Sequence, residues 1–253
     1  MKKIWAVAKN TFKETVRDKL LYALLGFAVL VIAGSLLAGS VSLGQDQRVI
    51  EDFSLTAMLV FLLIITLFIG TQLVRREVER KTIYLSLTKP ISRDQFYLGK
   101  FVGLCLTSAV SAVVMGTIFL IVLYLKTKSF EWVALWAIGA LILEIWLLTA
   151  VSLLFSSFAA PIASAIYTFG LVLVGHSSLT IWSIAQKSGG FLKGTLEAVY
   201  YVFPNLEKFN LRNEVVYHLH PNPTQTVAII LYFVGYTVAV LLLGMSVFRR
   251  HEF

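Results

Sequence analysis

The chain has 253 residues, of which 58% are hydrophobic and 14% are charged, and its mean hydropathy is +0.80. In soluble domains about a quarter of all residues are charged. The composition of this chain therefore excludes a water-soluble domain and indicates one transmembrane domain over residues 1–253. The net charge of +8 arises from basic residues beside apolar runs, which excludes a nucleic-acid partner, and the single cysteine excludes an intrachain disulfide.

The first 19 residues are basic and show a helical period. Trp5, Ala8, Phe12 and Val16 recur at helical spacing, while lysines and an arginine occupy the other face. This pattern predicts an amphipathic helix that lies on the membrane lipid of the cytoplasmic leaflet. Two roles fit such a helix: a simple anchor, or an element that transmits motion into the first span.

Apolar runs after this segment predict six transmembrane helices. A bilayer requires about 20 apolar residues per helical span. Four charge-free runs satisfy this length, and the long run 132–181 divides into two spans because Pro161 suits the first turn of a new helix. We therefore predict an all-α polytopic fold with spans over residues 20–44, 53–74, 101–125, 132–155, 161–181 and 226–247.

The distribution of basic residues predicts the orientation of these spans. The termini and the loops after even-numbered spans contain 15 Lys and Arg, whereas the other loops contain 7. Because cytoplasmic loops carry the excess of Lys and Arg, both termini should lie in the cytoplasm. We expect a multi-pass protein of the plasma (inner) membrane.

The cytoplasmic loop 75–100 combines both charge signs with apolar residues. Lys89-Pro90 predicts the end of one helix, and Ser92 with Gln95 predicts a capping box that starts the next. Four apolar residues are interspersed among the charges: Ile83, Leu85, Leu87 and Ile91. A short helix of this kind can fit into a groove on a separate protein, but an ordinary charged loop is an equal alternative.

Two ionisable residues fall within the predicted spans. Glu144 lies in the middle of the fourth span, where an ionised carboxylate is costly, so we expect it to face the interior of the bundle or of a dimer. Glu144 has either a functional role or a structural role as a hydrogen-bonding group. His176 lies near the outer end of the fifth span, which predicts a depth different from that of Glu144. That separation argues against an intramembrane enzyme site.

The extracytoplasmic segment 182–225 is the longest outer loop. Apolar residues at helical spacing predict a short amphipathic helix after Gly194, for which a passive cap is the simplest role. His218 and His220 are weak candidates for a copper or zinc site. Because no third ligand is evident nearby, we expect no metal there.

Two stretches resemble a known family. One is the run 77–100, with acidic residues before Thr82 followed by Leu85, Leu87, Pro90-Ile91-Ser92-Arg93 and Gly99-Lys100. It resembles the coupling-helix region of type 2 ABC-exporter permeases, such as those of nitrous-oxide-reductase maturation, sodium-export and gliding systems. Residues 203–209, Phe-Pro-Asn-Leu-Glu-Lys-Phe, resemble a second recurrent stretch of that family.

The resemblance implies a type 2 ABC exporter-like fold and a set of partners. The partners are two copies of an ABC ATPase subunit and a second permease copy, identical or similar, with an extracytoplasmic protein as a further option. It also implies two groups of site residues. The ATPase-coupling group is Glu77, Glu79, Arg80, Thr82, Leu85, Leu87, Pro90, Ser92 and Arg93. The extracytoplasmic gate or partner group is Tyr200, Phe203, Pro204 and Asn205.

The chain contains no phosphate-binding Gly-x-x-x-x-Gly-Lys-Ser/Thr sequence. We therefore expect no cofactor and no enzyme activity in this chain, with ATP and Mg²⁺ bound by the partner ATPase. The predicted function is a permease subunit that couples ATP hydrolysis to export or to conformational work. Two alternatives are an ATP-driven mechanical transmitter that acts on an extracytoplasmic partner without transport, and a stand-alone secondary transporter.

Overall fold

The computed structural model describes residues 2–41, 45–71, 92–128, 131–217, 219 and 222–250. Within these ranges it contains helices and turns and no strand. The α-helices are α1 (Lys2–Val16), α2 (Lys19–Val41), α3 (Asp46–Ile65), α4 (Arg93–Thr127), α5 (Trp132–Ser156), α6 (Pro161–His176), α7 (Ser178–Lys187), α8 (Gly190–Val202), α9 (Arg212–Val216) and α10 (Pro223–Arg250). A π-helical turn, Thr66–Gly70, continues α3, and a 3₁₀ turn, Leu206–Phe209, precedes α9.

Five of these helices are long and apolar enough to cross a bilayer, and the bent pair α6–α7 brings the number to six if it counts as one span. An all-α fold suits this setting because a helix satisfies its own backbone hydrogen bonds away from water. The prediction of an all-α polytopic membrane protein is therefore confirmed. The five helical spans are Lys19–Ser40, Asp46–Gly70, Arg93–Thr127, Trp132–Ser156 and Pro223–Arg249.

The fifth predicted span, 161–181, is divided in the structure. The helix that starts at Pro161 ends at His176, and α7 leaves it at an angle of 59°. The Ser178 hydroxyl donates a hydrogen bond to the carbonyl oxygen of Gly175 at 2.5 Å, in competition with the helical backbone. Leu206, from a later segment, packs directly against Gly175. The bend therefore depends on a tertiary contact that the local sequence does not encode.

α5 lies at the centre of the bundle. Among the five described helices that could each cross the bilayer alone, it has the most buried membrane-spanning stretch. Two hydrogen bonds link it to its neighbours. The Trp146 indole N–H donates to the carbonyl oxygen of Cys105 in α4 at 3.0 Å. The Ser164 hydroxyl of α6 donates to the carbonyl oxygen of Ser152 at 3.3 Å. These bonds add orientation to a contact that is otherwise apolar.

The bundle has two ends, which we call proximal and distal and define by the elements that form them. The proximal end comprises α1, the start of α4 and the end of α10, which are joined by the Asp94–Arg249 ion pair and by close packing of α1 on α4. The distal end comprises the end of α4, the start of α3 and residues 177–217. There Lys126 Nζ lies 2.5 Å from Asp46 Oδ2.

Candidate functional site

The predicted coupling loop reaches the described residues only at its exit. Glu77, Glu79, Arg80, Thr82, Leu85, Leu87 and Pro90 lie outside the described residues. Ser92 caps α4: its hydroxyl accepts from the Gln95 backbone N–H, and its own N–H donates to the Gln95 side chain, both at 3.3 Å. The capping box predicted from the sequence is confirmed, and it fixes the residue at which the loop becomes a membrane helix.

The first turn of α4 is bound to the last turn of α10. Arg249 forms an ion pair with Asp94 through two nitrogens, with Nε 2.7 Å from Oδ1. Arg93 donates from Nη1 to the Arg249 carbonyl oxygen at 2.9 Å. One turn deeper, the rings of Phe96 and Phe248 stack with centroids 6.2 Å apart. The exit of the loop is therefore held by polar and aromatic contacts to the final helix.

α1 packs on the same part of α4 through two glycines. A Cβ built on Gly99 would lie 2.5 Å from Val7 Cβ, and one built on Gly103 would lie 2.6 Å from Thr11 Cβ. This Gly-x-x-x-Gly spacing brings two helix backbones close together. The buried face of α1 contains Ala8, Thr11 and Thr15, whereas Trp5 is 58% exposed. The predicted apolar stripe therefore shares Ala8 with the packed face, whereas Trp5 lies outside that face.

A second group of polar residues extends from the middle of α5, at Glu144, toward the distal end. This residue is 2% exposed on α5, and its Oε1 lies 2.9 Å from Nε2 of His176 on α6. The contact is short, but its angles do not meet those of a hydrogen bond, and both atoms lack any other partner among the described residues. The other ring nitrogen, Nδ1, lies 3.6 Å from Glu207 Oε2. His176 therefore stands between two carboxylates.

The expectation that Glu144 and His176 lie at different depths is wrong. α5 ends at Ser156 and α6 begins at Pro161, so the end of α5 and the start of α6 lie at the same level of the bundle. At 1.5 Å per residue, Glu144 is about 18 Å and His176 about 22 Å along the axes from those ends. A glutamate and an imidazole ring can bridge that difference. The sequence-based prediction placed His176 at the wrong depth because it treated residues 161–181 as one continuous span.

Arg212 adds a positive charge beside this group. Its Nη1 donates to the Thr56 hydroxyl of α3 at 2.6 Å, and Nε donates to Asn210 Oδ1 at 2.9 Å. Asp52 lies 4.0 Å from the same guanidinium. The Asn210 side-chain amide in turn donates to Glu207 Oε1 at 2.8 Å. We name Glu144, His176, Glu207, Asn210 and Arg212 the distal polar cluster.

The predicted gate residues are divided between the surface and the interior. Tyr200 contacts Trp182 of α7, with ring centroids 4.8 Å apart. Pro204 and Asn205 are buried, and the Asn205 backbone N–H donates to the Tyr232 hydroxyl of α10 at 2.8 Å. Phe203 packs against the apolar core. The stretch 203–209 is therefore an inserted segment between α6 and α10 rather than a free outer loop.

No group of three or more metal-binding side chains occurs in the part of the chain that the structure describes. His218 and His220 lie outside it. Sequence reasoning did not single out Glu207, Arg212 or Tyr232. The available signal was weak: Glu207 lies inside the quoted motif, and Arg212 is a charged residue just before an apolar span.

Within the described residues, these features define an all-helical, multi-pass membrane protein with a fastened loop exit at one end and a polar cluster that extends from the middle of α5 toward the other. The family model described as "ABC-2 family transporter protein" matches residues 5–253. The chain therefore belongs to the ABC-2 transporter family, and the resemblance stated from the sequence is confirmed.

Two curated proteins are similar to parts of the chain. The "Probable ABC transporter permease protein NosY" of Stutzerimonas stutzeri is 30% identical over 161 residues, which cover 62% of this chain and 58% of that protein. The protein of the same name from Pseudomonas aeruginosa is 32% identical over 106 residues, which cover 40% of this chain and 38% of that protein. The matched region thus spans less than two thirds of the length of either relative.

Proposed function

We propose that this chain is the permease subunit of an ABC transporter, in which it couples ATP hydrolysis by a separate ATPase to export or to conformational work across the membrane. Membership of the ABC-2 family supports the proposal, as do two similar proteins whose names describe a permease. The observation that carries it furthest is the way in which the exit of the loop 75–100 is fastened to α10 and α1.

This fastening gives the loop mechanical access to the bundle. Ser92 starts α4, Asp94 binds Arg249 at the end of α10, and the glycines of the next turns hold α1. A force applied to the loop by an ATPase would therefore displace three helices together. Close-packed interfaces transmit such displacements because they resist compression. A loop with a loosely attached exit would absorb the motion instead.

The proposal includes the partners and the orientation implied by the sequence. Two ATPase subunits bind ATP and Mg²⁺ and contact the coupling loops of two permease copies, while this chain is not itself an enzyme. The chain lies in the plasma (inner) membrane with both termini in the cytoplasm, and α1 rests on the cytoplasmic leaflet. The exposure of Lys2, Lys3, Lys9 and Lys13 on α1 supports contact with anionic headgroups.

A purification experiment tests the ATPase partnership. The chain is isolated in mild detergent from its native membrane, the co-purifying proteins are identified by mass spectrometry, and ATP hydrolysis is assayed. We expect a stoichiometric ATPase subunit that is lost on Leu85→Asp, because a charge in an apolar contact is costly. The matched control is Leu219→Asp, the same exchange at a residue that is 56% exposed and lies at the distal end.

The outcomes separate the candidate functions. Retention of the ATPase by Leu85→Asp would contradict the assigned contact. Recovery of the chain alone, in conditions that keep a known ABC complex intact, would contradict the permease proposal and favour a stand-alone secondary transporter.

A second candidate function is a mechanical transmitter that acts on an extracytoplasmic protein. One observation favours it: α7 and α8 pair with each other, and α8 buries none of its residues. Phe191 is 91% exposed and Tyr201 is 71% exposed on this helix. Such a surface suits a protein partner or the membrane interface. An extracytoplasmic protein that co-purifies together with the ATPase would favour this candidate.

A further inference from the structure

Glu144 is a buried acid with unused hydrogen-bonding capacity. It lies in a membrane-spanning helix, is 2% exposed, and its Oε1 has no hydrogen-bond partner among the described residues. An acid at such a position is retained against a substantial desolvation cost. The mechanical coupling proposed for the proximal end makes no use of it, because Glu144 lies about 18 Å from the proximal end of α5 at 1.5 Å per residue.

His176 connects this acid to the distal surface. Its Nε2 lies 2.9 Å from Glu144 and its Nδ1 lies 3.6 Å from Glu207. The Glu207 side chain is 28% exposed, compared with 3% for Glu144. The three side chains therefore form a sequence from a partly solvated carboxylate, through an imidazole, to a buried carboxylate. Imidazole has two separate nitrogens and is the side chain best suited to pass a proton through itself.

A small cavity adjoins Glu144 and His176. Four members of the distal polar cluster line it, Glu144, His176, Asn210 and Arg212, together with apolar residues of α3 and α5 and with Phe209 and Leu211. The space is about large enough for one water molecule, and a water needs two to four polar partners, which these residues offer. A water in this cavity would be a further hydrogen-bond partner for the buried Glu144 carboxyl group.

The charges that face the site favour the uptake of a proton. Glu144 comes from α5, Glu207 from the 3₁₀ turn and Asp52 from α3, while Arg212 of α9 contributes the positive charge. Glu144 and Glu207 thus flank a neutral or protonated His176 from α6, while the guanidinium lies within 4.0 Å of Asp52 and lines the same cavity as Glu144. Carboxylates that share a site repel one another, and one added proton relieves that repulsion.

We propose that Glu144, His176 and Glu207 form a proton-binding site that takes up one proton from the distal side and holds it at Glu144. With the neutral ring protonated at Nε2, Nδ1 accepts a proton from the Glu207 carboxyl group, and Nε2 then releases its proton to the Glu144 carboxylate. The O–H bond of Glu207 and the Nε2–H bond break, while an Nδ1–H bond and an O–H bond on Glu144 form. The ring is neutral before and after the transfer.

The proton-binding site does not depend on ATPase coupling. Only the assignment of the distal side to the outside of the cell rests on the proposed function. Infrared difference spectroscopy of the full-length chain in lipid nanodiscs, without ATP or ATPase, tests it directly. Between about pH 5 and pH 8, where histidine-linked sites titrate, we expect a reversible carboxyl C=O band. The band is lost in Glu144→Gln and shifted in Glu144→Asp, which keeps the acid.

A matched control is Glu197→Gln, which removes a carboxylate that lies 3.9 Å from Lys193 on the surface of α8. This variant keeps the band. The relay is tested by a pH jump: His176→Ala keeps the band but delays its appearance by about a hundredfold, which is a typical loss on removal of a proton-transferring side chain. Absence of the band, its persistence in Glu144→Gln, or an undelayed response in His176→Ala would each overturn the proposal. None of these results depends on whether an ATPase binds.

Discussion

Gly175 is the residue at which the inserted segment 203–209 meets α6. A Cβ at this position would lie 2.6 Å from Leu206 Cγ and 2.8 Å from the Pro204 carbonyl oxygen. Leu206 is fully buried, so it has no open space into which to move. We expect Gly175→Ala to lower stability by about 1–3 kcal/mol, the usual cost of an overpacked interior. Thermal unfolding of the detergent-solubilised chain measures this loss.

Gly170 provides the control for this substitution on the same helix. A Cβ there meets no atom within 4 Å. Because alanine favours a helix over glycine by up to about 1 kcal/mol, Gly170→Ala should be neutral or slightly stabilising. Equal unfolding temperatures for Gly175→Ala and the parent chain would show that the segment does not dock as tightly as the structure indicates.

At the residue scale, the sequence indicates chemistry more readily than contacts. A charged residue at the centre of an apolar run marks Glu144 as a buried group whatever the packing. Its neighbour His176 does not follow from the sequence, because the contact requires α6 to end where the inserted segment packs. Arg212 is harder still, since its partners Thr56 and Asn210 belong to a different helix and a turn.

At the scale of elements, the α1–α4 contact is the packing most sensitive to side-chain volume. The Cβ of Gly103→Val would collide with Thr11 Cβ and with the Ala8 carbonyl oxygen, which are 2.6 and 2.8 Å away. Because backbone cannot yield as a flexible side chain does, we expect α1 to separate from α4. Trypsin cleavage at Lys9 and Lys13 should accelerate about fivefold or more, since an opening free energy lowered by about 1–3 kcal/mol raises the open population accordingly.

Gly139 supplies the comparison for this experiment. It is an exposed residue of α5 with no atom within 4 Å of a built Cβ, so Gly139→Val should leave the cleavage rate unchanged. Equal rates for Gly103→Val and Gly139→Val would contradict the close packing of α1 on α4.

Some elements follow from local sequence and others do not. The start of α4 follows from Ser92 and Gln95, and the start of α6 follows from Pro161, because caps and proline act within one turn. The π-helical turn Thr66–Gly70 has no such signal. Gly70 lies where a Cβ would be 2.9 Å from Ser152 Oγ of α5, so this turn depends on a helix that comes much later in the chain. Bends and bulges of this origin require the tertiary structure.

At the scale of the whole molecule, burial is uneven across the bundle. The membrane-spanning stretches of α2 and α10 are 22% and 28% buried, compared with 67% for α5. The chain therefore encloses α5 and leaves the outward faces of α2 and α10 open to lipid or to the second permease copy proposed above. This arrangement suits a subunit that works as half of a larger membrane assembly.

The predicted orientation places the distal end outside the cytoplasm and α1 inside, because 15 of the 22 Lys and Arg belong to the termini and the even-numbered loops. Single cysteines at two lysines test it: Lys193→Cys on α8, where the lysine side chain is 43% exposed, and Lys13→Cys on α1. A membrane-impermeant maleimide should label Lys193→Cys in intact cells and Lys13→Cys only in inverted vesicles. The native Cys105 is 7% exposed, so the parent chain controls for background. The reverse pattern would place the proximal end outside, and the coupling loop could then not meet a cytoplasmic ATPase.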